Sequence, residues 1–283
     1  MKNKQGFISL LSDYGFKVAF ADESNTLFLR KALQALLQNN TPIKRVQFSR
    51  NELTATTSKA RGGLLDLICI DEQKRTFIVE MQLGYYKEFI QRTKFYAFHK
   101  FNTLVERGNY KFEQLTPIYC IGLLAKSIFP NSKEYYHFGR LKNQKGEEMD
   151  KQITYIIIEI DKFKKKEAEI QSDLDKLIYI MKQSGKIKGL DELPKILTED
   201  WIEQALSKVD KSQLSPEQRF QFEMMLARNG SLIEMRQQED KLLVEKVQKQ
   251  ESINTAKKMK QEDIDCAIIS KITGLSIEEI EQL

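Results

Sequence analysis

The residues best suited to chemistry lie in one short stretch, 64–82, which reads LLDLICI, then DEQKR, then TFIVEMQ. Two runs rich in Ile, Leu, Val and Phe flank five polar residues, the pattern of an antiparallel hairpin. With the loop at 71–75 and the pairing symmetric about Gln73, position 66 falls opposite position 80, and 64 opposite 82. Opposed residues share a face of the sheet, with Cβ atoms roughly 4.5–5.5 Å apart. Asp66, Glu80 and Gln82 then occupy one face. Two carboxylates set against each other repel and weaken a hairpin. A divalent cation between them turns the repulsion into attraction, and an all-oxygen ligand set suits Mg²⁺. A slip of one residue would send the side chains to opposite faces, so the reading depends on that loop. Acidic residues at strand ends are also common as solvated edge residues. Asp66 and Glu80 differ in that each interrupts a strand that is otherwise apolar.

The surrounding elements must hold this hairpin in place. Upstream, DYGFKVAF carries Tyr14, Phe16 and Phe20, which suit packing beneath a sheet, and Lys17, which could reach a phosphate. Apolar residues at 28, 29, 32, 33, 36 and 37 have helical spacing, with Ser24 or Asn25 as the N-cap and Pro42 beyond the end. IKRVQFS follows as a strand, and then a polar loop that brings Arg50, Lys59 and Arg61 near the acids. After the hairpin, KEFIQRTKFYAFHKFNTLVERG reads as a helix closed by Gly108. It places Phe89, Arg92, Tyr96 and His99 on one stripe and assigns Phe95, Phe98, Leu104 and Val105 to the core. PIYCIGLLA, 117–125, is a continuous apolar run of the kind buried at the centre of a sheet. Strand, helix, strand in this order implies a right-handed parallel crossover. Residues 131–152 form a polar hairpin or loop, and ITYIIIEI, 153–160, is a further strand.

Beyond Phe163 the composition turns helical. A lysine run such as Lys164–Lys166 more often marks the solvated start of a helix than a phosphate contact. A long polar stretch over 223–261 reads as an extended or paired helix that could mediate self-association. The end, 261–283, has a helix–turn–helix pattern, with Gly274 closing the first helix and Ser276 and Glu279 boxing the second. That second helix carries Glu278, Glu279 and Glu281 and no Lys or Arg, so phosphates would repel it. A packing or oligomerisation motif fits better.

Composition narrows the function classes. The 283 residues are 30% charged and 41% hydrophobic, ordinary for a globular chain and too apolar for a disordered one. A net charge of +5 permits nucleic-acid binding without demanding it. Cys69, Cys120 and Cys266 have no zinc-site spacing, and two of them sit in apolar strands, as buried thiols of a reducing compartment do. His99 and His137 are the only histidines, which argues against a Ser-His-Asp triad. The N-terminus does not read as a signal peptide, and no apolar run approaches the ~18 residues of a membrane span. A cytoplasmic protein with no membrane partner is expected.

FIVEMQ, with a strand Asp fourteen residues before its Glu and a helix opening KEFIQRTKFYA after it, is similar to a known pattern. It resembles the Rpn-like recombination-promoting nucleases and transposases of the PD-(D/E)XK nuclease superfamily. The resemblance takes in SDYGFKVAF at 12–20, the strands near 118–125 and 153–160, and KITGLSIEEIEQL at the end. It implies a restriction-endonuclease-like α/β core of αβββαβ order at 1–163, then an all-α region at 164–283. By the same resemblance Asp66 and Glu80 are the metal-binding acids, with the Met81 main-chain carbonyl as a further ligand. Gln82 stands where the superfamily usually has Lys, although the Rpn-like branch resembles this ExQ form. Gln can serve neither as a cationic stabiliser nor as a base. Glu52 is a possible additional acid. Arg92, Tyr96 and Gln91, with Lys17, are the candidate DNA contacts. The function implied is that of a Mg²⁺-dependent (or Mn²⁺-dependent) DNA endonuclease of low sequence specificity, self-associating through its helical region. The alternative is a nuclease-fold protein that binds DNA or a protein with little or no cleavage.

Overall fold

The computed structural model describes residues 5–38, 42–49, 67–85, 88–104, 112, 115–262 and 264–283, without the side chains of 229 and 231–248. The chain divides into two compact units, Met1–Arg219 and Phe220–Leu283. In the first, helices α1 (Asp13–Phe20) and α2 (Leu27–Leu37) precede strands β1 (Val46–Phe48), β2 (Leu67–Asp71) and β3 (Thr76–Gln82). Helix α3 (Phe89–Leu104), strands β4 (Ile118–Leu124), β5 (Tyr136–Lys142) and β6 (Glu148–Glu159), and helices α4 (Asp173–Gln183) and α5 (Asp200–Lys208) follow. The six strands form one mixed sheet in the order β1-β2-β3-β4-β6-β5.

The hairpin pairs as its sequence predicts. Leu67 lies opposite Val79, Ile68 opposite Ile78 and Cys69 opposite Phe77, a register symmetric about Gln73. The turn is tied by Asp71, whose Oδ1 accepts the Gln73 and Arg75 N–H groups at 3.0 and 2.9 Å. Arg75 Nε closes the turn on Asp71 Oδ2 at 2.6 Å. From β3 the chain passes through α3 to β4, which runs parallel to β3, and β6 lies parallel on the far side of β4. Residues 136–159 make a second hairpin, in which β5 pairs antiparallel with β6 at the edge.

Alternation along the strands gives the sheet two faces. On one, Ile68, Ile78, Ile118 and Cys120 pack against Ala97 of α3, with Tyr96 and Phe101 at the rim. The other is covered by α1, α2, α4 and α5. Tyr136, paired with Ile158, donates its hydroxyl to the Leu36 carbonyl of α2 at 3.1 Å. Phe20 meets Phe28 edge-on, and Phe28 stacks on Trp201, joining α1, α2 and α5. Tyr14, Phe16 and Phe20 are buried, as expected. The N-cap of α2 is Thr26, without a side-chain cap bond, and not Ser24 or Asn25; Asn25, one residue earlier, accepts the Leu27 N–H at 3.1 Å. Because α4 and α5 bury Leu177, Ile178, Trp201 and Ile202, the compositional boundary at 163/164 falls inside the first unit.

Two expectations for α3 need correction. Phe95 and Phe98, assigned to the core, are 58% and 52% exposed. The inward face is Phe89, Thr93 and Ala97, at four-residue spacing. At 100° per residue, Phe95 and Phe98 lie roughly 200° and 140° round the helix from Thr93. This helix has aromatic residues on every side, so apolar identity did not orient it.

In the second unit, most of helix α6 (Pro216–Gln261) is followed by α7 (Cys266–Thr273) and α8 (Ile277–Glu281). Gly274 ends α7 with φ 74°, and Ser276 and Glu279 form the capping box of α8. Ile269, Leu275 and Ile280 bury against Ala256 of α6, so the terminal helices form a small packed core. Among the described residues, no helix is long and apolar enough to cross a membrane.

Candidate nuclease site

Glu80 lies two residues from the carboxyl end of β3, in the middle of the sheet, and is 2% exposed. A buried carboxylate is costly unless a charge or donors meet it. Arg92 of α3 does so, with its Nη2 2.7 Å from Glu80 Oε2 and 3.3 Å from Gln82 Oε1. One guanidinium therefore bridges the two polar residues of the ExQ string, which share a face because they are two positions apart. The same face carries Cys120, whose thiol burial pushes up to about 12, with the nearby Glu80 charge adding to the rise.

The close approach of α3 depends on Gly122, the β4 partner of Glu80. A Cβ at Gly122 would sit 2.6 Å from Cε1 and Cζ of Phe89, the first residue of α3. The ring occupies that space, in a cluster with Leu124 and Ile157. Phe89 is thereby seated on the strand beside Glu80, and Arg92 follows one turn later. Sequence reasoning missed Gly122, although a glycine inside a buried strand is itself a sign that something approaches closely.

The remaining expected residues divide as follows. Gln91 is exposed on the first turn of α3. Tyr96 is turned into the cluster beneath the helix, against the sheet. Lys17 pairs with Asp13 at 3.0 Å on α1, in the layer on the other side of the sheet from α3. Met81 is 8% exposed. Asp66 and Glu52 lie outside the described residues, as do Arg50, Lys59, Arg61, Val105 and Gly108.

A second buried carboxylate, not singled out in the sequence, ends β6 level with Gln82. The aligned positions are Gln82, Leu124 and Glu159. Glu159 Oε1 accepts from Ser127 Oγ at 3.0 Å and from the Ile128 and Phe129 N–H groups at 2.5 and 2.8 Å. Oε2 meets His137 Nε2 at 3.0 Å and the Lys162 ammonium. Burial alone would raise its pKa. The bonds from Lys162, Phe129, Ile128 and His137 outweigh that and hold it down at about 2. With both oxygens engaged, Glu159 ties strand ends together and leaves no room for a cation.

Among the described residues no cluster of three His, Cys, Asp or Glu side chains could hold a metal. The donors that Glu80 and Gln82 present are all oxygens, carboxylate and amide, which fits a hard divalent cation and not a thiophilic one. A mixed sheet flanked by helices, with a buried carboxylate near the carboxyl end of a central strand, is consistent with an α/β nuclease-like fold. A family model described as "PD-(D/E)XK nuclease family transposase" matches residues 10–229, and the chain belongs to that family. The family makes it a nuclease relative linked to mobile elements, with DNA as the implied substrate class. Neither a curated protein nor a solved structure matches the chain.

Proposed function

We propose that the protein is a metal-dependent DNA endonuclease that hydrolyses phosphodiester bonds with low sequence specificity, in a recombination or mobile-element setting. The observation that carries this reading is Glu80, buried, level with Gly122, and joined to Gln82 through Arg92. The reading takes Asp66, which the sequence pattern sets opposite Glu80, as the second acid. A divalent cation, Mg²⁺ or Mn²⁺, would be held by Asp66, Glu80 and the Met81 carbonyl, and would supply charge at the scissile phosphate and a lowered pKa for water. Gln82 orients the attacking water or the phosphate through its amide, without acting as a base. Arg92, fixed beside both residues, offsets charge that develops on the phosphate. No base-reading element stands out in the sequence, which supports low specificity.

A second reading is a nuclease fold that holds DNA or a protein with little cleavage, and Gln82 in place of the usual Lys favours it. Incubation with supercoiled plasmid and Mg²⁺ or Mn²⁺ separates the two. Metal-dependent nicking that disappears in both Asp66→Ala and Glu80→Ala is the expected result. Nicking that persists in the variants would place the activity elsewhere. DNA binding without nicking in the wild type would favour the second reading.

A further inference from the structure

A cleft of about 330 Å³ lies just past the carboxyl end of β6, lined by Phe163, Lys164, Lys165, Lys166, Glu167, Tyr179, Lys182 and Gln183. Its lysines differ in their tasks. Lys165 is bound to Asp175 at 2.7 and 2.8 Å. Lys182 donates to the Phe163 and Ile160 carbonyls at 2.6 and 3.2 Å, fixing its ammonium in the wall. Lys164 and Lys166 are exposed at the mouth, as is nearby Lys186. The Lys182 pKa is lowered, first by burial and then by repulsion from Lys164 and Lys186, against the opposing pull of Asp161. Glu167 is the one carboxylate among the lining residues. Like charges gathered in a concave site repel, and an anion that enters relieves the repulsion. The Tyr179 hydroxyl and Gln183 amide add neutral donors.

The position points to the kind of anion. Gln82 and Glu159 are level at the carboxyl ends of β3 and β6, two strand spacings apart, or about 10 Å. The cleft begins four residues after Glu159, on the rim of the sheet next to α4. Ligands of open α/β sheets collect at the carboxyl ends of strands. Along one DNA strand a phosphate recurs about every 3.4 Å of axis, so a backbone lying along this end of the sheet presents several phosphates over the span between the Gln82 and Glu159 positions. Lysine acts as a point charge with no planar fork, which suits backbone contact without base reading.

We infer that the Lys164–Lys166–Lys182 cleft is a second contact for the phosphate backbone of the DNA substrate, at the same end of the sheet as the Glu80 site. The inference rests on the nuclease reading above. Affinity of the full chain for a short fluorescent duplex, measured by anisotropy in EDTA over a series of salt concentrations, tests it. Loss of two phosphate contacts in Lys164→Glu/Lys166→Glu should weaken binding roughly 10-fold or more at ~0.1 M salt and flatten the log–log salt slope by about 2. Lys164→Ala/Lys166→Ala, less disruptive to folding, should flatten the slope by the same amount. Lys145→Glu/Lys151→Glu, on the β5–β6 hairpin at the opposite end of the parallel strands, carries the same charge change and should leave the slope near that of wild type. Equal effects in the two Glu pairs would overturn the inference and leave the nuclease reading standing, provided the wild type still nicks plasmid. Variants that lose binding of inorganic phosphate yet hold DNA normally would overturn it in favour of a small-anion site. A wild type with no DNA affinity would overturn both readings together.

Discussion

Replacing Gly122 with alanine tests how α3 delivers Arg92 to Glu80. The new methyl would stand 2.6 Å from two carbons of the Phe89 ring and 3.1 Å from Ile157 Cδ1. Carbon contacts are comfortable from roughly 3.5 Å, so the ring must retreat by about 1 Å. Phe89 is fully buried, in a cluster with Leu124 and Ile157. Overpacking of this kind costs about 1–3 kcal/mol. At about 2–4 °C per kcal/mol for a unit of this size, the melting temperature should fall by roughly 2–12 °C. Retreat of Phe89 also carries Arg92 away from Glu80, and a shift of about 1 Å at a catalytic site can lower a rate by about 10²-fold. Nicking activity should therefore fall further than stability. Phe89→Leu makes room for the methyl, so Gly122→Ala/Phe89→Leu should be more stable than the sum of the single changes by about 0.5–3 kcal/mol. Differential scanning calorimetry and plasmid nicking on the four proteins supply the numbers. Additive losses, or a Gly122→Ala protein that melts and cuts like wild type, would refute the seating of Phe89 on Gly122.

Glu159 predicts the acid limb of stability. Its folded pKa of about 2 lies below the ordinary 4.5, so its contribution is complete above 4.5 and is lost as pH falls towards 2. That amounts to at most about 3 kcal/mol at neutral pH. Urea melts should show wild type losing this advantage over Glu159→Gln between those pH values, and a constant difference down to the lower one would contradict the assignment. Cys69 and Cys120, both buried and with thiols pushed up to about 12, should resist a thiol reagent in the native protein, whereas Cys266 reacts. Release of all three thiols before unfolding would show the sheet to be more open than described. Gly274→Ala, at φ 74°, should cost about 1–2 kcal/mol and speed amide exchange over 264–283 without affecting the first unit.

The hairpin was legible because strand periodicity leaves few options. A polar loop flanked by equal apolar runs sets the centre of pairing, and alternation then puts Glu80 and Gln82 on one face. The packing around that face was not legible in the same way. Phe95 and Phe98 look no different from Phe89 in sequence, and the faces of α3 are distinguished only by where Gly122 lets the helix descend. Glu159 ends a strand as many solvated acids do. Its knot draws donors from Ser127, Ile128, Phe129, His137 and Lys162, which meet only because β6 inserts between β4 and β5. The helices after Phe163 read as a separate region because their composition changes. They join the first unit because the sheet face opposite α3 would otherwise expose Val79, Ile121 and Ile158.

The margins of the sheet bear on how the protein survives at high concentration. Open strand borders can template other chains, and among the described residues the two borders, β1 and β5, offer poor templates. β1 is three residues long. β5 breaks register twice, between Gly139 and Leu141 and again before Lys142, and carries Arg140 and Lys142 along its length. A neighbouring molecule that tried to extend either border would find too few aligned amides to grip, so aggregates growing by strand addition should nucleate slowly from the native state.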